Sequence, residues 1–287
     1  MGIERRMFLG HGLAASFLLP AAMAPALARA AASRPGQALP LPPPLPPGRA
    51  SGQALPPLVM LDPGHGGLDP GAIGVAGTYE KHIALLAAYD LKNRLEASGR
   101  YRVEMTRWQD VFVPLETRVQ IAHENRAHLF VSMHADSILD HEVRGASVYR
   151  LSTTASDPQA AAIAASENSA DRYVTNPRFK KVSPAVAEIL ASLVTQETEF
   201  SSARLQKDMV GALGESVELL VNPARHANFV VLESASIPSV LVEMGFMSNR
   251  NDEAALCTPQ HRAVIAAAME RAVDAYFAAD RTARMAG

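Results

Sequence analysis

Four residues that can bind metals or carry protons lie where predicted strands and helices begin or end. His65 stands in DPGHGG directly after the apolar run LVML, and His134 follows the run LFVSM. Glu80 comes at the start of a predicted helix, and Glu243 follows the run SVLV. Ligand sites in open α/β sheets gather at strand ends, where loops converge without disrupting the ladder. The sequence therefore predicts that these side chains converge at one edge of a sheet.

Two imidazoles and a carboxylate are a donor set typical of catalytic zinc, which keeps a fourth position open for water. His65, Glu80 and His134 would supply that set. Each also has an interpretation without a metal: His134 as a hydrogen-bonded histidine at a strand end, Glu80 as a first-turn helix carboxylate, and DPGHGG as a simple turn. No helix carries two of these residues at ligand spacing, so spacing alone leaves both interpretations open.

Residues around the four candidates extend the predicted site. Glycines on both sides of His65 let the backbone turn tightly and leave room for a metal and a substrate. Asp62 is predicted to orient a metal ligand as a hydrogen-bond acceptor. Asp136 and Arg144 are candidates for substrate contact, and each has the alternative of a salt-bridged loop residue.

Bulk composition is typical of a globular protein: 287 residues, of which 48% are hydrophobic and 20% charged. A net charge of -2 gives no basic surface for a phosphate backbone, so we expect no nucleic-acid partner. Cys257 is the single cysteine, which excludes an internal disulfide, and we expect it to pack in a helical context. We expect a monomer.

The amino-terminal region is typical of an exported protein. Residues 1–30 combine Arg5 and Arg6 with the apolar stretch LAASFLLPAAMA and small-residue cleavage sites, which resembles a twin-arginine signal peptide. Residues 31–57 form a proline-rich linker, predicted to be disordered and extended, with nine of the chain's 20 prolines. No later stretch is long and apolar enough for a membrane span, so we expect a periplasmic protein without stable membrane insertion.

The rest of the chain, residues 58–280, alternates short apolar strands with amphipathic helices. This rhythm predicts an α/β fold: a single three-layer domain whose twisted, mostly parallel central sheet is flanked by helices. The first helix is predicted over residues 81–97, with one apolar face formed by Ile83, Leu86, Ala87, Leu91 and Leu95. ASVYRLS and FVVLES are predicted strands, and residues 155–226 are predicted to form a helical insertion.

Six ordered motifs give the chain a resemblance to the zinc-dependent N-acetylmuramoyl-L-alanine amidases that cut peptidoglycan, in particular the Gram-negative cell-separation type. The motifs, in order, are LDPGHGGLDPGAIG, GTYEK, TRWQDVFVPLETRVQIA, LFVSMHADS, RGASVYRLS and IPSVLVEMGFMSN. The resemblance implies one zinc ion bound by His65, Glu80 and His134, and Glu243 as the catalytic carboxylate. It also implies hydrolysis of the amide between N-acetylmuramic acid and L-alanine, for cell-wall remodelling and daughter-cell separation.

In amidases of that type, an inserted helix occludes the zinc site until an activator protein displaces it. The resemblance therefore implies that Glu167 or Glu188 in the insertion is autoinhibitory, and that a LytM-type protein is the activator. An alternative is a surface helical pair that only packs. Alternatives for the whole chain are another exported zinc peptidase or deacetylase, and a non-catalytic wall-binding protein.

Overall fold

The computed structural model describes residues 55–173, 196–234 and 236–286. The predicted signal peptide, the linker up to residue 54 and Glu188 lie outside these ranges. Within them, no helix combines the length and the apolar character that crossing a bilayer requires.

A six-stranded mixed sheet forms the centre of the domain. Its strands are β1 (Leu58–Pro63), β2 (Arg102–Met105), β3 (Leu129–His134), β4 (Ala146–Leu151), β5 (Leu219–Ala227) and β6 (Ser239–Glu243). The spatial order is β2-β1-β3-β6-β4-β5. In this order the first four strands, β2, β1, β3 and β6, run parallel to one another. β4 is antiparallel to β6, and β5 is parallel to β4. The predicted mostly parallel sheet is confirmed.

Helices cover both faces of this sheet. They are α1 (Glu80–Ala97), α2 (Leu115–Glu124), α3 (Pro158–Asn168), α4 (Gln196–Gly214), α5 (Arg250–Cys257) and α6 (Pro259–Ala286). Successive strand residues point to opposite faces. Val59 and Leu61 accordingly join a core with α1, α4 and α6, whereas Met60 joins a second core with α2 and α3. The predicted three layers are therefore present.

The apolar face predicted for α1 was wrong at Leu86, which is 46% exposed. The buried stripe instead follows the four-residue steps that begin at Ile83. Each such step rotates the stripe by about 40° around the helix. That rotation brings Ala84 and Ala88 into the core and leaves Leu86 on the flank.

One prediction about the second half of the chain was wrong in part, since residues 155–226 do contain α3 and α4, and another was wrong throughout. The segment predicted as a helical insertion ends in β5, an edge strand that contains Pro223. Proline suits an edge strand because its missing N–H weakens no inner ladder. The predicted strand FVVLES is instead a 3₁₀ turn over Val230–Leu232 that packs in the second core. Short apolar runs cannot be assigned by periodicity alone.

Cys257 is exposed, so the prediction that it packs in the interior was wrong. It is the last residue of α5, where the helix ends before Thr258. Its Sγ lies 3.6 Å from Thr78 Oγ1 at the surface.

Candidate metal centre and active site

The carboxyl ends of β1, β3 and β6 bring three of the predicted site residues to one sheet edge. His134 is the last residue of β3 and pairs in register with Glu243, the last residue of β6. His65 follows two residues after β1 and has a positive φ of 59°. The sheet itself therefore places His65 and His134 next to Glu243.

Glu80, the first residue of α1, brings a carboxylate to the same edge and is fully buried. Main-chain N–H groups hold both of its oxygens: Ala135 donates to Oε1 at 2.9 Å and Ala72 to Oε2 at 2.8 Å. Oε1 lies 3.1 Å from His134 Nδ1, and Oε2 lies 3.1 Å from His65 Nε2. This carboxylate is fixed between the two imidazoles.

Glu167 on α3 completes the group, because its Oε2 lies 3.1 Å from His134 Nδ1 and 3.4 Å from His65 Nε2. One donor atom from each of the four side chains lies within 4.8 Å of the others. His65 Nε2 is buried and has no hydrogen-bond partner among the described residues. Two imidazole nitrogens and two carboxylate oxygens in this arrangement fit a zinc ion.

The charges within this group favour a cation. Burial lowers the pKa of His134, but the carboxylates of Glu167 and Glu80 outweigh burial and raise that pKa to about 10. The pKa of His65 is likewise raised well above its usual value, against the effect of burial, by Glu80 and Glu167. Both imidazoles therefore experience a negative potential that a metal cation would compensate.

Asp69 orients the His65 ring, because its Oδ2 lies 2.8 Å from His65 Nδ1. The other oxygen, Oδ1, accepts the N–H of Gly71 at 3.1 Å. A carboxylate on the far nitrogen of a ligating histidine fixes the tautomer and leaves Nε2 free for a metal. Asp69 was not predicted from the sequence, although its position four residues after His65 in the same turn was the available signal.

Asp62, predicted to orient a ligand, has other contacts. It is fully buried, and its Oδ1 accepts from Thr106 Oγ1 at 2.6 Å and from Arg118 Nη1 at 2.8 Å. Its Oδ2 accepts from Ser132 Oγ at 2.7 Å. These contacts do not include a ligand side chain, so the orienting contact seen here belongs to Asp69 instead.

The two carboxylate oxygens of Glu243 differ in their hydrogen bonding. Oε2 accepts the N–H of Asp136 at 2.8 Å, while Oε1 is buried without a hydrogen-bond partner among the described residues. Burial raises the pKa of Glu243 well above its usual value, and nearby carboxylates, Asp136 first, add to that increase while His134 opposes it. A carboxyl group with a raised pKa suits proton transfer near neutral pH.

Asp136 and Arg144 have different environments. Asp136 is buried at the site edge, where its Oδ1 accepts the N–H of Ser137 at 2.6 Å and its Oδ2 has no partner among the described residues. Arg144 is paired with two acidic residues: Nη2 lies 2.8 Å from Glu218 Oε2, and Nε lies 3.5 Å from Asp252 Oδ1. Of the two interpretations for Arg144, its contacts match the salt-bridged loop residue.

Residues 158–173, which comprise α3 and the following 3₁₀ turn and are here called the lid segment, cover the site. The remaining space between the lid segment and the site is a cavity of ≈ 10 Å³, about enough for one water molecule. Asn168 holds the lid segment by donating to Asn228 O at 2.7 Å and accepting from Val230 N at 2.9 Å. Asp171 Oδ1 also accepts the N–H of Leu115 at 3.1 Å. The site is thus closed to a polymer in this conformation.

Gly64→Ala is expected to disrupt the candidate metal centre, because a Cβ at Gly64 would lie 2.3 Å from His134 Cε1. The His134 ring would have to move, at a cost of about 1–3 kcal/mol. Zinc titration should therefore give weaker binding by roughly tenfold or more. Gly211→Ala is the control, since nothing lies within 4 Å of its added Cβ. Equal zinc affinity in both variants would contradict the expected role of Gly64.

Comparison with known proteins gives matches over nearly all of the described region. Residues 59–275 match the family model described as N-acetylmuramoyl-L-alanine amidase. The amidase AmiA of Salmonella typhimurium is 39% identical over 221 residues, which cover 77% of this chain and 76% of that protein. AmiC of Escherichia coli O6:H1 is 37% identical over 243 residues, 81% of this chain and 55% of the relative. This chain thus spans about half the length of that AmiC protein.

Solved structures of amidases have the same fold. AmiC2 of Nostoc punctiforme matches with a TM-score of 0.54 and 28% identity, over 77% of this chain and 97% of that one. The CwlD amidase of Clostridioides difficile, solved in complex with the GerS lipoprotein, matches with a TM-score of 0.57 and 24% identity, over 78% and 99% of the two chains. The extent of the family match shows that this chain belongs to the N-acetylmuramoyl-L-alanine amidase family.

Proposed function

We propose that this chain hydrolyses the amide bond between N-acetylmuramic acid and L-alanine in peptidoglycan, with a zinc ion held by His65, Glu80 and His134. The observation that carries the proposal is the convergence of these three side chains, whose donor atoms lie within 4.8 Å of one another, next to the buried carboxyl of Glu243. Family membership supports the choice of substrate.

An amide resists hydrolysis for two reasons: its carbonyl is a poor electrophile, and its nitrogen leaves only after protonation. Zinc in this donor set supplies Lewis acidity toward both water and the scissile carbonyl. Glu243 takes the proton of the attacking water and then delivers it to the nitrogen of L-alanine. The N–H of Asp136 holds Oε2 of Glu243, so the unpartnered Oε1 is the atom that accepts the proton.

The ligands are held in place by groups that do not bind the metal. Asp69 keeps the proton of His65 on Nδ1 and thereby presents Nε2. Main-chain N–H groups of Ala72 and Ala135 fix both oxygens of Glu80. This support lowers the reorganisation needed when substrate binds.

Digestion of purified sacculi tests the reaction. Mass spectrometry should find stem peptides that begin with a free L-alanine amino group, and elemental analysis of the protein should find about one zinc per chain. A peptidase would instead cut within the stem peptide, and a deacetylase would release acetate. Either of those product patterns would contradict the proposal.

The proposed setting is the periplasm, where daughter-cell separation requires cutting of the wall. The twin-arginine-like segment over residues 1–30 supports export. We also propose that the closed lid segment is an autoinhibited state and that an activator protein, of the LytM type in the resemblance above, displaces it. The contacts of Glu167 Oε2 with His65 and His134 support this regulation, because the carboxylate lies where a substrate carbonyl would need access.

Glu167→Gln is expected to raise basal cleavage of sacculi in the absence of any activator. The amide cannot replace the carboxylate as a charged metal ligand, so the closed state loses stability relative to open states. A change of about 1.4 kcal/mol would give a tenfold higher open population. Release of soluble peptides from labelled sacculi measures the effect, with exposed Glu199→Gln as the matched control. Unchanged basal cleavage in Glu167→Gln, with zinc still bound, would show that the lid segment is not inhibitory.

A further inference from the structure

Two arginines, Arg107 and Arg118, are buried beside the turn that carries His65. Arg107 and Arg118 are each 2% exposed and head the group of the largest fully buried side chains. Burial of a guanidinium group is costly unless its donors are satisfied. Their partners therefore indicate what the two side chains are for.

Arg107 donates its hydrogen bonds to main-chain carbonyls of three separate segments of the chain. Nε donates to Pro63 O at 2.9 Å, and Nη2 donates to Gly64 O at 2.7 Å. Nη2 also donates to Lys81 O at 2.8 Å, and Nη1 donates to Gln109 O at 3.0 Å. One guanidinium group thus joins the turn before His65 to the first turn of α1, which carries Glu80.

Arg118, on α2, contacts the same turn from the other side. Nη1 donates to Pro63 O at 2.7 Å and to Asp62 Oδ1 at 2.8 Å. Nη2 donates to His65 O at 2.8 Å, and Nε donates to Val113 O at 2.8 Å. Asp62 provides the negative charge that compensates this buried cation.

Together the two arginines bind three consecutive carbonyls, those of Pro63, Gly64 and His65. The last of these residues has a positive φ of 59°, a left-handed conformation that is strained in a non-glycine residue. The carbonyl contacts offset that strain. They also fix the direction in which the His65 side chain leaves the backbone.

We propose that Arg107 and Arg118 are positioning residues that set the zinc affinity of the site by holding the His65 turn in its strained conformation and in register with Glu80. The inference rests on the zinc site of the proposed function and deepens it. The hydrogen bonds of both arginines end on main-chain carbonyls or on Asp62, and not on the side chains that would hold the metal. A lysine cannot replace either one, because an ammonium group lacks the planar fork that reaches several carbonyls at once.

Arg107→Lys and Arg118→Lys test this role because they keep the charge and remove the fork. Zinc affinity of the whole chain is measured by competition with a chelating dye, and the geometry of the ligands by the visible absorption spectrum of the Co²⁺ form. We expect the zinc dissociation constant to rise roughly 10- to 100-fold in each variant, with changed Co²⁺ bands. Arg102→Lys is the matched control, since exposed Arg102 also donates to a carbonyl, that of Pro56, at 3.0 Å.

A purely structural role gives a different result: lower thermal stability in the presence of a chelator, with zinc affinity and Co²⁺ bands equal to those of the natural chain. That result would overturn the inference. If the natural chain itself binds no zinc, the proposed function fails and this inference fails with it. Zinc binding by the natural chain together with equal binding by the variants overturns the positioning role alone.

A milder substitution decides the question if the lysine variants do not fold. Thr106→Val is nearly isosteric and removes a single hydrogen bond, from Thr106 Oγ1 to Asp62 Oδ1. That oxygen also accepts from Arg118, so the change loosens the arginine without removing it. We expect a rise of a few-fold in the zinc dissociation constant. Unchanged zinc affinity with a lowered melting temperature would overturn the inference.

Discussion

Glu243→Gln is expected to lower kcat for peptidoglycan hydrolysis by roughly 10²–10⁴-fold, the range typical of a lost general acid–base group. Glutamine preserves the shape of the side chain but can neither accept a proton from water nor return one to the leaving nitrogen. The substitution leaves His65, Glu80 and His134 in place, so zinc content should remain about one per chain. Steady-state cleavage of labelled sacculi and elemental analysis measure the two quantities together.

Two further variants separate catalysis from metal binding. His65→Ala should lose both cleavage and zinc, since it removes a proposed ligand. Glu215→Gln, at a side chain that is 74% exposed, should change neither. Cleavage by Glu243→Gln at a rate near that of the natural chain would show that another group transfers the proton.

Asp62→Asn is expected to destabilise the fold by about 3–5 kcal/mol, the usual effect of removing one partner of a buried ion pair. Arg118 Nη1 lies 2.8 Å from Asp62 Oδ1, and the two side chains are only 2% and 0% exposed. Without the carboxylate, the guanidinium charge remains buried and uncompensated. Urea unfolding measures the change in free energy, which should be far larger than the loss of a single hydrogen bond.

The matched control is Asp90→Asn, because Asp90 pairs with Arg262 at 3.2 Å but its side chain is 35% exposed. A partly exposed pair of this kind contributes at most about 1 kcal/mol. Similar losses in both variants would contradict the view that burial gives the Asp62 pair its larger effect.

The same ion pair makes a defined contribution to the dependence of stability on pH. Burial would raise the pKa of Asp62, but the charge of Arg118 and the hydroxyls of Thr106 and Ser132 outweigh burial and hold the pKa below its usual value. A lowered folded-state pKa means that the stabilisation is fully present above the unfolded-state pKa and is lost as pH falls through the folded-state pKa. The stability of Asp62→Asn should therefore fall less steeply in acid than the stability of the natural chain.

The sequence was sufficient to predict much of the site because strand ends are readable from apolar runs. His134 directly follows such a run and His65 lies four residues after another, and the parallel order of β1, β3 and β6 brings their carboxyl ends together. Glu80 was placed at a helix start, which is where α1 begins. Glu167 could be named only from the resemblance, since an alanine-rich helix does not indicate what its single carboxylate faces.

The supporting residues could not be predicted because their role depends on tertiary burial. Arg107 and Arg118 belong to a residue type that usually lies at the surface, and only the tertiary fold brings buried main-chain carbonyls of separate segments within reach of each guanidinium group. β5 was missed because LLVNPARHA contains a proline and an arginine, which an edge strand accepts more readily than an inner strand. Local sequence patterns thus predicted the residues that would bind the metal but not the residues that support those ligands.

The reversal of strand direction between β6 and β4 determines which end of α3 reaches the metal centre. Ser147, near the start of β4, pairs with Glu243, so β4 begins at the site edge and runs away from it. Its successor α3 runs back and places Glu167 in its last turn. Unpaired carbonyls give the carboxyl end of a helix a partial negative charge, which disfavours an acidic side chain there. The last turn of α3 therefore depends on the two hydrogen bonds between Asn168 and residues Asn228 and Val230 to keep Glu167 at the site.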